Sequence, residues 1–183
     1  IDSGAESTLF SSLLINVLLL SVFALQHSIM ARPQFKKWFT TIFSPVMERS
    51  TYILLSSLAL LLIYWQWQPM TTIVWETESK IVIYVLRAIF FLGWGIVLLS
   101  TFMINHLELF GLAQIFDNLK NKKTPNPEFQ TNYLYAFVRH PLMLGFLIAF
   151  WATPSMSAGH LLFAVVTTTY IFVAVKYLEE KDL

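Results

Sequence analysis

Polar clusters that can do chemistry interrupt an otherwise apolar chain. Arg139-His140-Pro141 opens an apolar run. Proline suits the first turn of a helix, where its missing N–H costs nothing. The free N–H groups of that turn favour an anion, and a neighbouring guanidinium suits a carboxylate. Read plainly, the same Arg-His pair is a positive anchor at a membrane edge. Glu179-Glu180 closes the last apolar run. Carboxylates at a helix C-terminus oppose the macrodipole, where a purely structural sequence would more often place lysine. They can accept hydrogen bonds from a sugar diol or an ammonium group. Alternatively they form a solvated pair linked to Lys176 at helical spacing. His27, His106 and His140 sit where apolar runs meet polar segments, with His160 apart at the far end of the last run. Such histidines can line a substrate pocket, ligate a metal or haem, or simply complement a helix dipole. Asn105 and Gln26 lie within apolar stretches, where interhelical hydrogen bonding explains each without a ligand.

The elements that must position these residues are membrane helices. The chain of 183 residues is 56% hydrophobic, 16% aromatic and 13% charged, with mean hydropathy +0.62. Soluble domains carry about 25% charged residues. A net charge of +1 argues against a nucleic-acid partner. The absence of cysteine excludes disulfides, a thiolate nucleophile and a cysteine-based zinc site. The first residue is Ile, and Asp2 and Glu6 precede the first apolar run, where a signal peptide would carry positive charge.

Leu9 to Met30 is one membrane-crossing length, about 20 apolar residues for a ~30 Å core. Asn16 and Gln26 are its polar interruptions. Residues 31–50 read as a loop or an interfacial helix, with Phe35, Trp38, Phe39 and Phe43 at helical spacing beside Arg32, Lys36 and Lys37. Tyr52 to Trp67 is the second span, closed by an interfacial cluster of Tyr64, Trp65 and Trp67. Met70 to Lys80 reads as a polar connector. Ile81 to Ile104 is the third span, with Gly93 and Gly95 available for close helix approach. His106 to Arg139 is a long polar stretch containing Lys120, Lys122, Lys123, Pro125 and Pro127. Pro141 to Thr153 and Leu161 to Val175 form a C-terminal helical hairpin, whose first arm is about 20 Å long and short for a full crossing. The fold class is an all-α polytopic integral membrane bundle, a single transmembrane domain over 1–183 with about five spans. All but two of the 12 Lys and Arg residues fall on one side of it. The exceptions are Lys80 and Arg87. By the positive-inside rule the crowded side is cytoplasmic.

The pattern V-R-H-P-L-M-x-G, then G-H-L-L-F-A, then Y-I-x(7)-E-E-x-D-L, resembles the membrane methyltransferases related to isoprenylcysteine carboxyl methyltransferase. The segments Leu25 to Arg32, Glu48-Arg49-Ser50-Thr51-Tyr52 and Ile104-Asn105-His106 sharpen the resemblance toward the bacterial methanethiol S-methyltransferase family. It covers nearly the whole chain. The resemblance implies methyl transfer from S-adenosylmethionine (SAM) to a small thiol in the bacterial inner membrane, with the site facing the cytoplasm. It implies SAM contacts at Tyr135, Arg139, His140, Pro141, Gly145, Glu179 and Glu180. It leaves His106, His27 and Arg49 to take the thiol proton or stabilise the thiolate. It also implies a further hydrophobic helix before Ile1 and a polar tail after Leu183.

Two other classes share these features. The related NnrU-type membrane proteins bind haem through histidines, and the context of His27 resembles them too. An accessory subunit packed against a larger membrane complex is the third. A visible absorption spectrum separates the haem class from the methyltransferase. The span assignment is tested by labelling. Cysteine introduced at Lys122 should react only from the cytosolic side, and cysteine at Glu78 only from outside; labelling of both from one side refutes it.

Overall fold

A computed structural model describes residues 8–103 and 138–176. In chain order the elements are α1 (Leu9–Ala31), α2 (Pro33–Ile42), α3 (Pro45–Gln66), β1 (Ile73–Glu76), α4 (Lys80–Met103), α5 (Pro141–Trp151), β2 (Ser155–Ser157) and α6 (Ala158–Ala174). Helices α1, α3 and α4 have 23, 22 and 24 residues and are apolar enough to cross a bilayer. Their side chains are mostly exposed apolar groups, such as Leu61, Phe91 and Phe102. This is what lipid-facing helices present, since hydrocarbon tails and not protein cover them.

Prolines set the helix starts. Pro33, Pro45 and Pro141 each stand in the first turn of a helix. Proline disfavours helical backbone in the residue before it. Arg32 is accordingly extended (φ −69°, ψ 140°) and ends α1 as it begins α2. Helix α2 is the interfacial helix expected from the sequence, with Phe35, Phe39 and Phe43 stacked along one side. Helix α3 begins at Pro45 rather than at Tyr52. The apolar window marks only the membrane-embedded part, and the helix continues through Glu48 and Arg49 into the polar boundary. Glu48 lies in the first turn, where the helix dipole favours negative charge.

Antiparallel α1 and α3 meet α6 in a core of Leu20, Ile63 and Trp67 with Leu162, Phe163 and Val166. Asn16 is wholly buried. Its Nδ2 donates to the Gln68 carbonyl at 2.7 Å, and its Oδ1 accepts from the Gln68 N–H at 2.8 Å. The polar interruption in the first span therefore satisfies backbone groups just past the end of α3, which would otherwise lack partners in an apolar setting.

The stretch expected as a polar connector contains β1, and the turn after Pro154 contains β2. They pair antiparallel, Ile73 with Ser157, Trp75 with Met156 and Glu76 with Ser155. The Thr77 N–H donates to the Pro154 carbonyl, and the Ala158 and Gly159 N–H groups donate to the carbonyls of Thr72 and Met70. Met156 is fully buried beneath them.

The pairing follows a short hairpin arm. Helix α5 has 11 residues, about 16 Å, against about 36 Å for α4. Beyond α5 the chain turns at Ala152 and bends at Pro154 before the strand Ser155–Ser157. Non-helical backbone is tolerated at membrane depth only where protein satisfies its polar groups. Here β1 does so, and His160 Nε2 lies 2.9 Å from the Phe150 carbonyl. The Ser157 hydroxyl caps α6 by accepting from the His160 N–H.

Helices α4 and α5 touch backbone to backbone. A Cβ at Gly145 would lie 2.7 Å from the Gly93 carbonyl oxygen and 2.9 Å from the Val97 N. One at Gly93 would lie 2.8 Å from the Ala149 N. Gly95, read as a second close-approach position, has nothing within 4 Å and is not one. Gly145→Val should lower the thermal midpoint in detergent, at the upper end of the ~1–3 kcal/mol typical of overpacking, because backbone cannot yield. Gly95→Ala should leave it unchanged. Equal midpoints for the two variants would refute the contact.

Candidate functional site

The end of the bundle away from the β1–β2 pair gathers the polar side chains. It contains the last turns of α1, the first turns of α3, all of α2 and the C-terminal half of α6. His27 sits at its centre. Phe23, one turn earlier on α1, stacks on the imidazole with ring centroids 5.3 Å apart. Tyr170 of α6 meets the ring edge-on at 6.4 Å. The Tyr170 hydroxyl lies 3.0 Å from Ser28 Oγ, tying α6 to α1.

Helix α3 supplies the polar contacts. Tyr52 and Ser56 are four residues apart and share a face. The Tyr52 hydroxyl lies 2.8 Å from His27 Nε2 and 3.0 Å from Nδ1. Ser56 Oγ, buried, lies 3.3 Å from Nδ1. The imidazole is thus held by three helices in an aromatic cage with hydroxyl groups along one edge. One turn along α1, Gln26 Nε2 donates to the Met30 sulfur at 3.1 Å, while its Oε1 is buried and accepts no hydrogen bond.

Beside the cage is a cavity of about 250 Å³ lined by Ala31, Lys36, Glu48, Arg49, Tyr52 and Ile53. Its wall carries two cations and one carboxylate over an apolar floor. Arg49 and Tyr52 are three residues apart and project to the same side of α3. Tyr52 alone belongs to both the cavity and the cage. His27 reaches the cavity through its hydroxyl.

Of the residues singled out by sequence, His27 and Arg49 are brought together, with Tyr52 between them. His140 occupies the N-cap position of α5 (φ −128°, ψ 67°), and Pro141 follows fully buried. Arg139 is exposed at the same end of the bundle. Gly145 packs against α4. Arg139 and His140 precede α5, which is not one of the three helices that supply the His27 cage. Asn105, His106, Tyr135, Glu179 and Glu180 lie outside the described residues. Among the described residues, no group of three or more His, Asp or Glu side chains is placed to hold a metal ion. His160 lies at the opposite end, as its position in the sequence implied.

Sequence reasoning gave no site role to Phe23, Tyr52, Ser56 or Tyr170, although Tyr52 and Tyr170 stand in segments that carry the resemblance. Spacing alone could have found three of them. Phe23 precedes His27 by four residues, and Ser56 follows Tyr52 by four. Tyr170 shows no such local signal, because its contact crosses helices distant in sequence.

The chain is 52% identical over 183 residues to methanethiol S-methyltransferase 1 of Bradyrhizobium diazoefficiens. That alignment covers 100% of this chain and 64% of the relative, so the chain spans just under two thirds of that protein's length. It is 51% identical to the methanethiol S-methyltransferase of Mycobacterium tuberculosis, covering 100% of the chain and 75% of the relative. Against the Pseudomonas deceptionensis enzyme of the same name the values are 48%, 100% and 70%. No solved structure matches. The model of the NnrU protein family matches residues 15–175. Two families weighed against each other by sequence thus coincide on one chain, which belongs to both the NnrU protein family and the methanethiol S-methyltransferase family.

Proposed function

We propose that the protein transfers a methyl group from SAM to methanethiol, releasing dimethyl sulfide, with its site facing the cytoplasm of a bacterial inner membrane. The observation that carries this reading is full-length identity near one half to proteins named for that reaction. The cage and cavity at one end of the bundle support it, because they offer a cation and a proton acceptor beside an apolar floor. SAM supplies a methyl carbon on a sulfonium sulfur: the thiolate's electron pair forms the new C–S bond while the old bond's pair returns to the leaving sulfur. No covalent enzyme intermediate is required. The protein's work is alignment, proton removal and exclusion of water.

The start of α5 suits the carboxylate of SAM. Pro141 stands in its first turn, and exposed Arg139 adds a guanidinium beside the free N–H groups of that turn. Glu179 and Glu180 are the proposed partners of the ribose diol and the ammonium group, with Tyr135 and His140 completing the enclosure. Gly145 contributes by letting α5 lie against α4, which sets where its first turn sits. A membrane setting suits an apolar, volatile acceptor that partitions into lipid.

Titration of the full-length protein in detergent should show SAM binding at micromolar affinity or better, about −8 kcal/mol at 1 µM. Arg139→Ala should weaken it by about 10- to 100-fold, the range of a charge-assisted hydrogen bond. Protein supplied with SAM and methanethiol should release dimethyl sulfide into the headspace, measured by gas chromatography. Absence of binding at millimolar SAM refutes the donor. Methylation of a prenylcysteine analogue alone refutes the acceptor.

A further inference from the structure

We infer that Tyr52 is the group that takes the acceptor's proton, and that His27 acts through it as the proton's resting place. This assignment rests on the proposed thiol methylation. It replaces a histidine facing the substrate with a tyrosine backed by a histidine.

The geometry has three parts. First, Tyr52 lines the cavity, whereas His27 does not. Second, the Tyr52 hydroxyl lies 2.8 Å from His27 Nε2 and 3.0 Å from Nδ1, so phenol and imidazole are within hydrogen-bond reach of each other. Third, the cage holds the imidazole in place against Tyr52. Phe23 stacks on the ring with centroids 5.3 Å apart, and Ser56 Oγ lies 3.3 Å from Nδ1. A free phenol is a weak base at neutral pH. A phenol that passes its own proton onward as it receives another is not limited in that way.

The step balances. The acceptor's S–H bond breaks and a new O–H bond forms on Tyr52, while the original Tyr52 O–H bond breaks and an N–H bond forms on His27. The electron pair of the S–H bond stays on sulfur. The thiolate so formed lies beside Arg49, which lines the same cavity one turn before Tyr52 and offers N–H donors and positive charge. After the product leaves, the proton returns through the Tyr52 hydroxyl to water in the cavity.

Two acceptors that differ in acidity test the assignment. Methanethiol is mostly protonated at neutral pH and needs a base. Methaneselenol is nearly the same size, already ionised, and needs none. Tyr52→Phe should lower turnover of methanethiol by about 100-fold or more, the low end of what positioned proton transfer contributes. The same variant should retain turnover of methaneselenol within a few fold, and SAM binding by calorimetry should match wild type. Its methanethiol deficit should shrink as pH rises toward the thiol's own pKa. His27→Gln should show the same split between acceptors. Without any SAM present, ¹⁵N ring shifts of His27 should change in Tyr52→Phe, because the hydrogen bond that sets the tautomer is gone. Equal losses on both acceptors, unchanged His27 shifts, or full methanethiol activity in Tyr52→Phe would each overturn the assignment. Wild-type protein that methylates neither acceptor overturns the proposed function itself, and this assignment falls with it.

Discussion

Backbone polar groups left open where helices end need partners, and this constraint organises the end of the bundle opposite the cavity. There the chain leaves helical geometry between α3 and α4 and again between α5 and α6. Each break frees N–H and carbonyl groups from the helical ladder. The two breaks satisfy one another through β1 and β2. Asn16 satisfies Gln68 in the same way from α1. These bonds tie both helical hairpins to a common platform. Its benefit appears at the other end, where α1, α3 and α6 converge on His27 with orientations already set.

That division places rigidity and chemistry at opposite poles. The platform end is stitched by backbone hydrogen bonds, buried Met156 and the Leu20–Ile63–Trp67 core. The opposite end is built from side-chain contacts: Phe23, the Tyr52 hydroxyl, Ser56 and the Tyr170 ring around one imidazole, and a Ser28–Tyr170 hydroxyl pair beside it. Side chains on helices hold position better than side chains on loops, provided the helices cannot rotate. The Gly93–Gly145 contact adds to this by allowing no axial slip without a backbone clash.

Much of the fold was legible because one physical signal dominates it. Runs of apolar residues long enough to cross lipid located α1, α3 and α4, and amphipathic spacing located α2. Pro141 marked the start of α5. What escaped was non-local. β1 and β2 have 4 and 3 residues, and neither carries enough pattern to announce a partner separated from it by a whole helix pair. The start of α3 escaped because hydropathy reports where lipid begins, not where hydrogen bonding begins. At the site, sequence named His27 and Arg49 from their segments. It could not show that Tyr52 stands between them, since that depends on how α1 and α3 are rotated against each other. His106, Glu179 and Glu180 rest on resemblance, which names residues without bringing them together in space.

The non-helical stretch between α5 and α6 has a consequence for the approach of water. Pro154 carries no N–H, so this stretch presents one fewer donor that needs a partner. Its carbonyl accepts from the Thr77 N–H. The neighbouring Thr153 carbonyl accepts from the Trp75 indole, and the Ser155 carbonyl accepts from the Thr153 hydroxyl. A run of backbone occupied in this way offers water few footholds for a hydrogen-bonded file. Among the described residues, the charged cavity and this occupied backbone stand at opposite ends of the bundle, so the polar pocket and the far boundary are separated by the length of the helices.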